Sequence, residues 1–333
     1  MPGMNVQTNG GSLQQSTLGV INTLAASIFP SQGNAYFVNP RTGDDVYGDG
    51  GRNNPFKSVA HAFSFATAGQ NDIIFLEAAG NAAADTTDYQ LSTLTWNKDL
   101  VHLIGINGAP QLGQRSRIAL VSTYATASNL ITISANGCRF ENIEFFEGVT
   151  SALPTGCMQV TGQRNHFVNC QISGMGATTN DIAGAYSLYL NGAAENIFER
   201  CYIGLDTVTL GAAANSQIKC ATQATRNILT GCTIATYTNH ATNSNFLRVP
   251  TGSLDRWLQF DNCRFINPID SASTNLTQAF IVASDAGGTV LLTGADTGVL
   301  GATDWNSTDS GNVTAINGTV TANTFGLAVD VLR

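Results

Sequence analysis

The stretch NHFVNCQI (165–172) returns as NIFERCYI (196–203), as NILTGCTI (227–234) and, shortened, as FDNCRF (260–265). Its cysteines, Cys170, Cys201, Cys232 and Cys263, stand 31 residues apart at every step. The frame extends in both directions. LLTGAD (291–296) repeats it with Ala295 in the cysteine place, and RFENIEF (139–145) anticipates it with Ile143 there. Self-similarity at a fixed period of this size marks a stack of supersecondary units, each burying its apolar side only against its neighbours.

Each unit opens with a short apolar or alternating run: LITIS (130–134), CMQVT (157–161), SLYLN (187–191), SQIKC (216–220), FLRVP (246–250) and AFIVA (279–283). Such runs read as strands. A turn rich in Gly, Asn and Thr follows, then the cysteine run, then a polar tract such as SGMGATTNDIAGAY (173–186). No unit contains a helical period. Two or three short strands per unit predict an all-β parallel β-helix. The competing β-propeller needs four strands in about 40–45 residues, more than these units hold. Phe167, Cys170 and Ile172, with their equivalents one and two units on, are expected to face the core.

The chain has seven cysteines, at 138, 157, 170, 201, 220, 232 and 263. An odd number forbids a complete internal disulfide set, and no C-x-x-C pair offers metal ligands. The expectation is an inward stack of free thiols acting as small apolar groups.

Only 11% of the 333 residues are charged and the net charge is −8, against about 25% charged in an ordinary soluble domain. There is no basic stripe, so nucleic-acid binding is not expected. No apolar run reaches 18 residues, so no membrane insertion is expected. The first charged residue is Arg41, which leaves no positive segment for a secretory signal. With its free thiols, the chain is expected to assemble in a reducing cytoplasm.

Residues 1–34 are expected to form an N-terminal arm, with Leu18, Ile21, Leu24, Ala25 and Ile28 at helical spacing. Then AYFV (35–38) reads as a strand, glycines 43, 48, 50 and 51 mark a loop, and Asn54-Pro55 reads as the start of a helix over 55–67. Phe56, Val59, Ala60, Phe63 and Ala66 form its apolar face. At the other end, Asn317-Gly318 between alternating runs predicts a β-hairpin over 312–323. The division is therefore 1–34 arm, 35–297 β-helix with its capping helix, and 298–333 hairpin and tail.

GDGG (48–51), NPFKSVAHA (54–62) and NDIIFL (71–76) together resemble the opening of pectate-lyase-like right-handed β-helix proteins, especially those of tailed-phage virions. Asn71 stands where that family usually has Gly. The resemblance covers about 35–295. It implies a right-handed β-helix entered through a capping helix, and a homotrimer. It says little about activity, because one fold hosts many chemistries.

Chemistry is sparse. Glu141, Glu144 and Glu147 are the densest acidic set and the candidate catalytic residues for glycoside hydrolysis, which needs two carboxyls about 5–9 Å apart. On a single strand Glu141 and Glu147 would share a face and Glu144 would oppose them. Arg139, Arg164, Arg200, Arg226, Arg256 and Arg264 are expected to pair with such acids on the surface. Asp44, Asp45 and Asp49 read as turn-forming loop acids. His61, His102, His166 and His240 lack ligand spacing, and no metal or cofactor is expected. The expectation is a non-enzymatic structural protein of a tailed-phage virion: a capsid-bound decoration protein or a spike, trimeric and contacting capsid or tail proteins. The alternative is a tailspike that binds and cleaves host surface glycan by glycoside hydrolase or lyase chemistry. A bacterial adhesin ranks third.

Overall fold

The computed structural model describes residues 33–78, 87–106, 116–126, 128–150, 155–268, 270, 273–306, 312–315, 318–323 and 326–331. The expected arm over 1–34 lies almost wholly outside them. Strands of successive coils stack in parallel into three sheets. The first sheet begins with Ala35–Val38 and Ile73–Glu77. It continues through Arg139–Glu141, His166–Val168, Ile197–Glu199, Ala224–Thr230 and Leu254–Asp261 to Val313–Ala315. The second, of eight strands, starts at Leu94–Trp96 and includes Gly156–Val160, Tyr186–Asn191, Asn215–Ala221 and Ser244–Val249. The third includes Glu144–Phe146, Gln171–Ser173, Tyr202–Gly204, Thr233–Ala235 and Arg264–Ile266. A coil visits the second, first and third sheets in that order, and a polar loop then leads to the next coil. This is a right-handed parallel β-helix.

The cysteine run is two strands, not one. Between them the residue before each cysteine, and before Ile143 in the preceding coil, adopts a left-handed backbone: Asn142, Asn169, Arg200, Gly231 and Asn262 have φ of 56°, 51°, 52°, 61° and 50°. This single-residue corner swings the chain from the first sheet to the third. It explains how Phe167, Cys170 and Ile172 are all fully buried although 167 and 170 differ in parity. A second left-handed position recurs at Arg164 and Glu195, just before the first-sheet strands His166–Val168 and Ile197–Glu199, and at Arg226 and Arg256, inside Ala224–Thr230 and Leu254–Asp261. Gly and Asn tolerate that region at little cost, while arginine there carries strain.

Register then stacks like on like. Phe140, Phe167 and Phe198 align across neighbouring strands, with ring centroids 4.8 and 4.4 Å apart and nearly parallel planes. Cys170, Cys201, Cys232 and Cys263 form a buried column, as expected, and none is in a disulfide. Ile143 fills the place below Cys170. Above Cys263 the residue is Thr297 and not Ala295. Arg264 pairs with Gly298, and the Cys263 N–H donates to Thr297 Oγ1 at 3.2 Å. Two extra residues in that corner leave Ala295 exposed.

The other corner holds a buried asparagine ladder. The Oδ1 atoms of Asn165, Asn196 and Asn227 accept the backbone N–H of Cys138, Asn165 and Asn196 in turn, at 2.8, 2.9 and 3.1 Å. Their amides donate to Ala135, Gly162 and Ala193 carbonyls. Corner peptides that strand pairing cannot satisfy thus find partners.

The capping helix spans Val59–Phe65, with Ser58 as its N-cap. It starts later than Asn54-Pro55 suggested because Asp45 holds the chain extended up to Ser58. Its carboxylate accepts the N–H groups of Lys57 and Ser58 and the Ser58 hydroxyl. Ala62 takes the buried place expected of Ala60, which is exposed. The Lys98 ammonium donates to the carbonyls of Phe63, Ser64 and Ala66 and so closes the far end.

At the C-terminal end, Ala302–Asn306 and Val313–Ala315 still pair in parallel with the preceding coil. The solenoid therefore runs past residue 297. The hairpin is present one strand later than expected: Gly318–Asn323 pairs antiparallel with Gly326–Val331, which also pairs with Gly298–Leu300. Asn317-Gly318 thus precedes the first arm and does not join the two arms, and position 317 lies outside the described residues.

Candidate functional site

The left-handed corner at Asn142 separates the three nominated acids. Glu141 ends a strand of the first sheet and Glu144 begins one of the third, so the single-strand parity that grouped Glu141 with Glu147 does not apply. Glu141 accepts from Arg139 Nε at 2.8 Å. Glu144 is buried and accepts from Arg117 Nε at 2.7 Å. Glu147 is fully buried. Its Oε1 accepts the Val149 N–H at 3.1 Å, and its Oε2 is buried without a close hydrogen-bond donor among the described residues. Burial pushes its pKa up to about 7. The carboxyl is largely protonated below that value, but it lies beyond the reach of a solvent-borne substrate.

The outer face of the first sheet is the richer constellation. Register sets His102, Arg139 and His166 in one column, and Glu141, Val168 and Glu199 in the next. His166 Nδ1 faces Arg139 Nη1 at 3.2 Å, and its Nε2 faces Glu199 Oε2 at 3.1 Å. Arginine can only donate and carboxylate only accept. The ring is therefore the neutral tautomer with its proton on Nε2, and both nitrogens are used. Burial, and then Arg139, hold its pKa below the usual histidine value, against Glu199, which raises it. His102 is held in the same way. Its Nδ1 accepts the Arg139 N–H at 3.0 Å and its Nε2 meets Asn71 Oδ1 at 3.3 Å. Burial and Arg139 lower its pKa to about 4. A general base needs a lone pair aimed at substrate, and here both lone pairs accept hydrogen bonds from within the protein.

The remaining acids on this side are also engaged. Glu195 bridges Arg164 and Arg226, at 2.8 and 3.0 Å, and Arg200 and Arg256 pair with their preceding acids Glu199 and Asp255. Asp261 accepts from Thr230, Thr293 and Asn262. The loop acids build turns: Asp44 accepts the Val46 and Tyr47 N–H groups, which lowers its pKa, and Asp49 accepts that of Gly51. Among the described residues, no three His, Cys, Asp or Glu side chains converge as metal ligands.

A cleft of about 820 Å³ opens where the capping helix meets the first strand of the third sheet, lined by Asp45, Lys57, Ser58, Thr87, Asp88 and Tyr89 among others. Asp88, missed in the sequence, is buried beneath it. Its Oδ2 accepts the Val59 N–H at 2.8 Å and the Gln90 amide at 2.6 Å. Burial raises its pKa to about 7. It satisfies an orphan donor at the helix N-terminus from 29 residues away, and no local pattern in the sequence signals that role.

No family model matches the chain, and no curated protein matches it. Solved structures do. Pectate lyase Pel9A superposes with a TM-score of 0.56 at 16% identity, over 86% of this chain and 69% of that one. A pectin methylesterase variant in complex with a hexasaccharide gives 0.55 at 16%, over 87% of this chain and 92% of that one. A Geobacillus virus E2 protein gives 0.44 at 13%, over 96% and 68%. The chain therefore has the pectate-lyase-like right-handed β-helix fold, and at these identities the likeness extends to the fold alone.

Proposed function

We propose that this chain is a non-enzymatic structural protein of a tailed-phage virion, a trimeric β-helix attached by one end to the capsid or tail as a decoration protein or spike. One observation carries the non-enzymatic part. On the outer face of the first sheet, His166, His102, Glu141 and Glu199 are each engaged with Arg139, Arg200, Asn71 or one another. The low charge supports the assembly part, since uncharged polar surfaces suit permanent contact with copies and neighbours. The Asn-Pro-Phe-Lys-Ser opening supports the phage assignment by its resemblance to virion β-helices. Light scattering on the purified chain tests the oligomer: three chain masses is the expected result, and a monomer at micromolar concentration contradicts it.

A second reading has one observation in its favour. Arg139, Glu141, His166 and Glu199 gather on one exposed sheet face, and a hexasaccharide is bound by one protein of the same fold. In that reading the chain binds and cleaves host surface glycan there. Release of reducing ends or unsaturated sugars from bacterial surface polysaccharide, lost on Glu141→Gln or His166→Asn, would establish it.

A further inference from the structure

In a chain that pairs most of its described arginines, two cations stand side by side without a carboxylate. The strands Asn215–Ala221 and Ser244–Val249 are neighbours in the second sheet, and their register sets Lys219 directly beside Arg248. Adjacent strands lie about 4.8 Å apart. Among the described residues, neither forms an ion pair. Lys219 Nζ lies 5.3 Å from the Tyr189 ring centroid and 5.8 Å from that of Tyr186. Arg248 Nη2 donates to Asn245 Oδ1 at 2.8 Å, and its Nε is buried with no acceptor. Arg248 also lines a concavity of about 350 Å³ with Pro250, Ile281, Ala283 and Ser284.

Two like charges in register, both half-buried, oppose one another. Burial lowers the pKa of each, and Arg248 lowers that of Lys219 further. A buried guanidinium N–H without an acceptor is also unfavourable. An anion beside the two cations relieves their opposition. It neutralises both charges, and a two-oxygen group matches the planar guanidinium fork.

We propose that Lys219 and Arg248 form a binding site for an oxyanion, a phosphate or carboxylate group, on the outer face of the second sheet. The site is independent of the virion role and lies on a different sheet from the Arg139–His166 network.

Calorimetric titration of the full chain with inorganic phosphate tests it, at constant ionic strength set by chloride, with acetate as the carboxylate probe. The expected result is saturable binding with Kd on the order of a millimolar. Lys219→Met and Arg248→Met each weaken it about tenfold or more. Arg264→Met, on the exposed third sheet, leaves it unchanged. Lys219→Arg keeps the charge and retains binding, which separates lost charge from lost folding. Absence of saturable binding to either probe overturns the proposal. So does equal binding by wild type and the Lys219→Met/Arg248→Met double variant with native circular dichroism.

Discussion

The Cys201 thiol lies 3.5 Å from the carbonyl oxygen of Phe167, one coil back, and donates to it. Cys170 repeats the contact with Phe140, Cys232 with Phe198 and Cys263 with Leu229. The thiol column and the aromatic column are therefore one repeated device, in which each cysteine fills a small space behind its corner and engages a weak acceptor there. All seven thiols are buried and none is in a disulfide, and burial raises the pKa of Cys170, Cys201 and Cys232 well above the usual thiol value. Thiol titration with a disulfide reagent should find almost no reactive cysteine in the native protein and all seven in denaturant. Rapid stoichiometric reaction of the folded chain would contradict a structural column.

Glu147 makes stability pH-dependent in a defined direction. Its folded pKa is raised from 4.5 to about 7. Between those values the unfolded chain has lost a proton that the folded chain keeps, so stability falls as pH rises through the window and stays low above it. Glu147→Gln removes this dependence. The stability of the variant relative to wild type should rise by ~3 kcal/mol between about pH 4 and pH 8. Denaturant melts at both pH values measure the difference, and a constant offset would refute the assignment. Asp88, also raised to about 7, contributes a slope of the same sign that remains in the variant.

The corner before each cysteine separates backbone strain from packing. Gly231 occupies it at φ 61°, and a Cβ placed there would meet only Arg200 Cγ at an ordinary 3.6 Å. Gly231→Ala should therefore cost about 1 kcal/mol from conformation alone. Arg200→Gly, at the equivalent corner, should be neutral or stabilising by about 1 kcal/mol, because its exposed pair with Glu199 contributes little. Chemical unfolding of the two variants decides the matter. Destabilisation by Arg200→Gly of more than about 1 kcal/mol would show that the ion pair outweighs the strain.

Asn196 carries the middle of the buried ladder. Its Oδ1 accepts the Asn165 N–H, and its amide donates to Gly162 and Asn227. Asn196→Ala strands a buried N–H and a carbonyl and should cost about 2–4 kcal/mol. Thr222→Ala, which removes an exposed hydrogen bond to Asn191, should cost less than about 0.5 kcal/mol. Thermal melts of both test this. Equal small losses would mean that water replaces the ladder.

The solenoid was legible because stacking in register forces like residues to recur, and Cys170, Cys201, Cys232 and Cys263 recur without slippage. Where register slips, legibility fails: two extra residues moved the place above Cys263 from Ala295 to Thr297. The ladder asparagines 165, 196 and 227 stood in the quoted repeats, yet a turn asparagine and a buried one look alike in sequence. The grouping of Glu141 with Glu147 failed at Asn142, whose left-handed backbone ends one strand and starts another. The late helix start and the role of Asp88 depend on side chains acting across 13 and 29 residues, beyond any local pattern. The pairing of Arg139, Arg164, Arg200, Arg226 and Arg256 was visible in outline, whereas Arg264 forms no ion pair among the described residues.

The proposed role is tested most directly by quantitative mass spectrometry of purified particles of the phage proposed to encode the chain, scaled to the major capsid protein. The account predicts that the chain is present in a fixed ratio. A simple fraction of the capsid copy number would indicate a decoration protein, and a few tens of copies or fewer a spike. Absence from the particles would contradict the account and favour a free glycan-cleaving enzyme or an adhesin.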